Sequence, residues 1–292
     1  MTMLDKLLAR CADDYCQLNA DSWLLALTNG HSLAVSARRD EGFLLLDADT
    51  GLSPAAERLI PLAERSRELP AAVKFALRGS NALRLRAEFP LPEETDPAAD
   101  RIREHLDGMR SALNRLHAWV SCETAGAEVA CPEPEGNGQA IPGSLTELVK
   151  EAGWQYHERP GSALVVDLEA GSQFLQAEID RCGAGTRFRV TLYRHDGAGD
   201  AAQQALCLYL LKANAALRYA RAFLQRDGEG ISAGFEVRVE SGPSAVEAGH
   251  ALAALSVAGR QCAREMEVLK DDALAGIYQS SQPLLNEQRK GA

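Results

Sequence analysis

Asp47 and Asp49 stand two residues apart in an extended run, with Glu57 close behind in sequence. On a strand, side chains two apart share a face, so this trio could form a carboxylate site for proton transfer or a divalent cation. The same spacing also describes a strand whose charged residues face water, which is the reading adopted for all three. Cys11 and Cys16 are five apart, not the four that would stack two ligands on a helix, and no histidine follows at zinc-site spacing. They read as core thiols, since a free cysteine packs like a small hydrophobe. Cys122 and Cys131, with eight residues between them, could form a reversible disulfide or a soft-metal clip, but in a reducing compartment they read as free thiols.

The histidines at positions 31, 105, 117, 157, 195 and 250 are scattered, and none has a partner at metal-binding spacing. Nucleophile-elbow, phosphate-loop and dinucleotide-binding glycine patterns are absent, and Gly183-Ala184-Gly185 reads as a turn between strands. The sequence therefore offers no catalytic residues, no metal ligands and no cofactor. It predicts a protein that is not an enzyme.

The elements around these residues are more informative. The chain has 292 residues, 46% of them hydrophobic, which is enough for two domains. A net charge of −10 opposes binding to a phosphate backbone. Seven irregularly spaced cysteines, no run of ~20 apolar residues and an N-terminus without a signal core point to a cytoplasmic protein that does not enter a membrane.

Apolar spacing at Leu4, Leu7, Leu8, Cys11 and Tyr15 predicts a helix over 3–18. Three strands follow, 23–28, 33–37 and 43–48, separated by Asn29-Gly30 and a polar turn. Ser53-Pro54 starts a helix that runs to about Leu69 and is interrupted by Pro61. A hairpin comes next, 73–78 and 83–89, and then a long helix with Ile102, Leu106, Met109, Leu113 and Leu116 as its apolar stripe. The order returns after a Pro- and Gly-rich linker. Helix 144–152 precedes strands 163–168, 174–179 and 187–193, helix 200–216, hairpin strands 219–225 and 231–239, and a helix with a Ser244/Glu247 capping box. Leu33-Ala34-Val35 against Leu164-Val165-Val166, and Phe43-Leu44 against Phe174-Leu175, are the sequence echoes.

The expected fold is thus α+β, with two tandem modules, each a helix, three-strand meander, helix, two-strand hairpin and helix. The modules span 1–120 and 144–280, the linker 121–143 and a loose tail 281–292.

This order resembles the type III secretion chaperone and YbjN-like superfamily. The second half carries the resemblance through Gly153-Trp154, the run Leu210-Leu211-Lys212-Ala213-Asn214, Tyr219-Ala220-Arg221-Ala222-Phe223 and Asp227-Gly228. It implies a chaperone-like role in which apolar surfaces bind an extended segment of a partner protein. It also implies that two fused modules imitate a dimer within one chain. The first strands are apolar at successive positions, so both of their faces need cover. That cover is either the other module, a second copy of the chain, or the partner segment. Trp23, Leu25, Leu27, Leu44, Leu46 and Phe174 are the residues expected to meet the partner.

Overall fold

The computed structural model describes residues 2–29, 31–70, 72–79, 82–92, 95–125, 144–159, 163–171, 173–182, 185–228, 230–239 and 242–282. Among them, seven α-helices and two antiparallel six-stranded sheets form an α+β fold of two similar modules. In the first, α1 (Met3–Cys11) leads into β1 (Asp14–Asn19), β2 (Ser22–Asn29), β3 (His31–Asp40) and β4 (Phe43–Leu52). Then come α2 (Leu59–Arg65) with a 3-10 turn at either end, β5 (Val73–Arg78), β6 (Ala82–Pro90) and α3 (Thr95–Ala125). The second repeats the plan as α4 (Leu145–Glu151), β7 (Tyr156–Arg159), β8 (Ala163–Ala170), β9 (Gln173–Cys182), β10 (Gly185–Asp196), α5 (Asp200–Ala216), β11 (Arg221–Asp227), β12 (Gly230–Val239) and α6 (Ala245–Val268). A closing helix, α7 (Asp272–Ser280), is capped by the Asp271 carboxylate and has no counterpart among the described residues of the first module.

Each sheet is a four-strand meander with a hairpin folded back beside its last strand, in the orders β1-β2-β3-β4-β6-β5 and β7-β8-β9-β10-β12-β11. The meander is therefore one strand longer than the apolar runs indicate. The helix expected over 3–18 stops at Cys11, and residues 14–19 pair instead with β2, Tyr15 opposite Leu25 and Gln17 opposite Trp23. With the extra strand counted, Leu33-Ala34-Val35 sits in the third strand of its module and Leu164-Val165-Val166 in the second. That sequence echo does not mark equivalent positions; the repeat rests on topology. The helix expected from Ser53 begins only at Leu59, and Pro61 is accommodated because it lies in the first turn, where its missing N–H costs no bond. Helix α3 continues through Ala125, into the span expected as linker; 126–143 lie outside the described residues, as do 283–292 of the tail.

Helices cover one face of each sheet. In the first module, Ile102, Leu106, Met109, Leu113 and Leu116 of α3 are buried as their spacing predicts, and α1 is tied to β2 by the Trp23 indole, which donates to Asp5 Oδ1 at 2.7 Å. In the second, α6 places Leu252, Leu255, Cys262 and Met266 over β8, β9, β10 and β12. No described helix is long and apolar enough to cross a membrane.

Candidate binding face and groove

Trp23, Leu25, Leu27, Leu44 and Leu46 all lie on the helix-covered face of the first sheet, and each is at most 1% exposed. They are core residues, and a partner segment could reach them only by displacing α1 and α3. Strand alternation explains this correction, because their neighbours Leu24, Ala26, Phe43 and Leu45 point the other way. Phe174 differs from the other five: it lies at the start of β9, 79% exposed, opposite Glu169.

The second face of each sheet divides into an inner half, covered by the other module, and an outer half. At the inner half the crossover helices are exchanged: α5 packs on β5, and α2 packs on α5 and β11. This brings the inner edge strands of the two sheets together, and three polar side chains close those edges. Asn214 donates to Phe75 O and accepts from Ala222 N, each at 2.7 Å. Arg221 donates to Leu69 O at 2.8 Å and Val73 O at 3.3 Å, and the same guanidinium binds Glu236 Oε1 at 2.9 Å. Lys74 Nζ donates to Leu217 O at 2.6 Å and Ala220 O at 2.9 Å, with Glu88 Oε2 at 3.5 Å. The turn offering those carbonyls holds Tyr219 at φ 59°, a backbone that costs a non-glycine residue about 1–2 kcal/mol.

Burial governs the ionisation of these groups. It pushes Lys74 down to about 8 despite Glu88. For Glu236 burial works upward, but Arg221, Arg238 and Arg189 outweigh it and hold the carboxyl at about 2. Asp47, weighed above as a carboxylate ligand, is bound by Arg84 at 2.5 Å with Arg78 at 3.6 Å, and Arg84 also reaches Asp49 at 3.3 Å. No cluster of three metal-ligating side chains occurs among the described residues.

The outer halves differ. In the second module Arg159 pairs with Glu178 and Gln176, Gln176 donates to Asp167 at 3.2 Å, and Arg187 Nε binds Asp180 at 2.9 Å. In the first, the corresponding rows are Cys16-Leu24-Ser36 and Ala26-Ala34, all exposed and uncharged, with Asp14, Arg38 and Asp47 only at the margins. Leu24 is 43% exposed, and Leu18 on the adjoining edge strand is 61% exposed.

A separate groove of about 340 Å³ opens in the first module, between α2 and the last turns of α3. Its apolar wall is Pro61 and Leu62 of α2, Leu83 of β6, and Leu116, Trp119 and Val120 of α3. Glu57, Arg58 and Arg65 also line it, with the chain from Leu52 to Ala55, and the Arg65 guanidinium lies 5.1 Å from the Trp119 ring centre. Glu57, weighed above with Asp47 and Asp49 as a carboxylate ligand, lies here beside arginines instead, and Arg58 and Arg65 carried no signal in the sequence.

A family model described as "YbjN: Putative bacterial sensory transduction regulator" matches residues 142–267, which run from before α4 nearly to the end of α6. No curated protein and no solved structure matches the chain.

Proposed function

We propose that this chain is a non-enzymatic, cytoplasmic regulatory protein with a chaperone-like mode of binding, whose first module receives an extended segment of a partner protein. The observation that carries the reading is the contrast between the two outer sheet faces: ion pairs cross the second, whereas the first is uncharged over Cys16, Leu24, Ser36, Ala26 and Ala34, beside the edge strand β1, which on its outer side pairs with no other described strand. A free edge offers N–H and C=O groups to an incoming strand, and alternate side chains of that strand would lie over neighbouring rows of the sheet. Edge β5 is closed by Asn214 and Arg221, and edge β7 is only four residues long, so β1, with six, is the better template. The regulator family matched by the second module supports a binding role, and the likeness to secretion chaperones supports an extended segment as the occupant.

The test is recovery of the tagged full chain from its own host with Leu24→Asp and, as control, Val246→Asp, an exposed position on α6. Expected is one stoichiometric partner, kept by the control and lost with Leu24→Asp, together with slowed amide exchange over 14–19 in the complex. A partner retained by Leu24→Asp with unchanged exchange there would overturn the proposal. Doubling of the chain's own mass, abolished by Leu24→Asp, would assign the edge to a second copy instead.

A further inference from the structure

Among the described residues, two that are not glycine hold a positive φ, Glu41 at 49° and Tyr219 at 59°. They sit in turns from different modules, and these turns grip each other. Arg218 binds Asp40 and lies 3.8 Å from Glu41, while the Tyr219 ring meets Phe43 edge-on, 6.1 Å between ring centres. Glu41 opens the two-residue turn between β3 and β4, where Asp40 pairs with Phe43, and turns of that length favour asparagine or aspartate there. Tyr219 lies in no hairpin; a left-handed tyrosine persists only where its surroundings over-determine it. Lys74 does so by holding Leu217 O and Ala220 O on either side of it.

We propose that the two turns form a strained clasp whose local opening regulates the outer face of the first sheet, an inference that rests on the reading of that face as the receiving surface. Flipping the Arg218–Tyr219 peptide, between the two carbonyls held by Lys74, takes Tyr219 out of the left-handed region and breaks the bond from Ala220 N–H to Arg218 O. Phe43 shares its side of the sheet with Leu24 and Ala26 and is half-buried beneath Tyr219 and His250, whose ring lies 5.6 Å away. Opening the clasp therefore extends the apolar face to Phe43. Asp40 supplies the coupling, because Arg218 shares it with Arg38, 3.6 Å away at the margin of the outer face. A segment seated there that engages Arg38 or Asp40 weakens the hold of Arg218, so occupancy of the first module is felt by the second.

Amide exchange, read residue by residue on the full chain without any partner, tests the clasp separately from the role of β1. The reporters are Ala220 N–H, bound to Arg218 O at 2.6 Å, and Leu91 N–H, bound to Gly42 O at 2.8 Å, one for each turn. Ala222 N–H, held by Asn214 at the same interface, is the control. Arg218→Gln should speed exchange at both reporters about threefold and leave the control unchanged. Tyr219→Gly should exchange about threefold more slowly at both than Tyr219→Ala, because each variant loses the ring but only glycine is unstrained at a φ of 59°. The clasp is overturned if Leu91 ignores Arg218→Gln, or if the glycine and alanine variants exchange alike. Acceleration of Ala222 together with the reporters would also overturn it, by making the whole interface one opening unit.

Discussion

Glu236 is fully buried among three arginines, one of which, Arg221, is itself almost inaccessible to water. Removing the negative charge would leave the Arg221 cation without its counterion in a dry setting, which costs far more than an exposed ion pair is worth. Glu236→Gln should therefore destabilise the protein by about 3–5 kcal/mol at neutral pH, read from urea denaturation. The folded-state pKa is depressed to about 2 from an ordinary 4.5, so the carboxylate's contribution is complete above 4.5 and fades as pH falls toward 2. The gap between wild type and variant should close over that window. Lys74 shifts in the same direction for a different reason, the burial of its cation. Its pKa is lowered to about 8 from 10.5, so the folded state gives up a proton that the unfolded chain retains between those values. Wild type should gain stability relative to Lys74→Met as pH rises from about 8 to 10.5, measured as the difference between two denaturation series.

At the scale of elements, legibility followed burial. Helix α5 matches its expected bounds, Asp200–Ala216, and the stripe of α3 marks its buried side, because a helix that packs on a sheet must repeat its apolar residues every three or four positions. Strands β1 and β7 left no such trace. Both are edge strands lying almost wholly in water, and Tyr15 continued the spacing of α1 closely enough to extend the helical pattern. The expected binding residues were chosen from runs apolar on both faces, but a run cannot tell which alternate set its own helices cover; Leu25 and Leu24 differ only in register. The module interface was hidden for another reason: Lys74, Glu88 and Glu236 sit in strands, where a charge ordinarily signals a solvated face. Their apolar flanks, as in Val73-Lys74-Phe75 and Phe235-Glu236-Val237, were the available clue. Close approach of elements also sets a test. A Cβ on Gly234 of β12 would fall 2.1 Å from the backbone oxygen of Val190, beside the bulge in β10, whereas on Gly259 of α6 its one close contact, also 2.1 Å, would be the end of the flexible Leu175 side chain. Gly234→Ala should cost about 1–3 kcal/mol and exceed the cost of Gly259→Ala, because backbone cannot swing aside. Thermal denaturation of the two variants decides the order.

Across the whole molecule, one contiguous core runs through both modules, and Lys74, Asn214 and Arg221 join them with hydrogen bonds to backbone. The two modules should unfold together in a single urea transition, coincident by circular dichroism and tryptophan fluorescence. Asn214→Ala, which strands Phe75 O and the Ala222 N–H, should move that transition by about 2–4 kcal/mol without splitting it. Separate transitions for the two probes would contradict this. The reciprocal exchange of α2 and α5 has the form of a contact between two identical subunits, where every surface feature must occur twice and any substitution is imposed on both copies. Carrying both halves on one polypeptide lifts that constraint: one outer face could accumulate ion pairs while the other kept an uncharged patch, an inequality that no symmetric pair of single-module chains can hold.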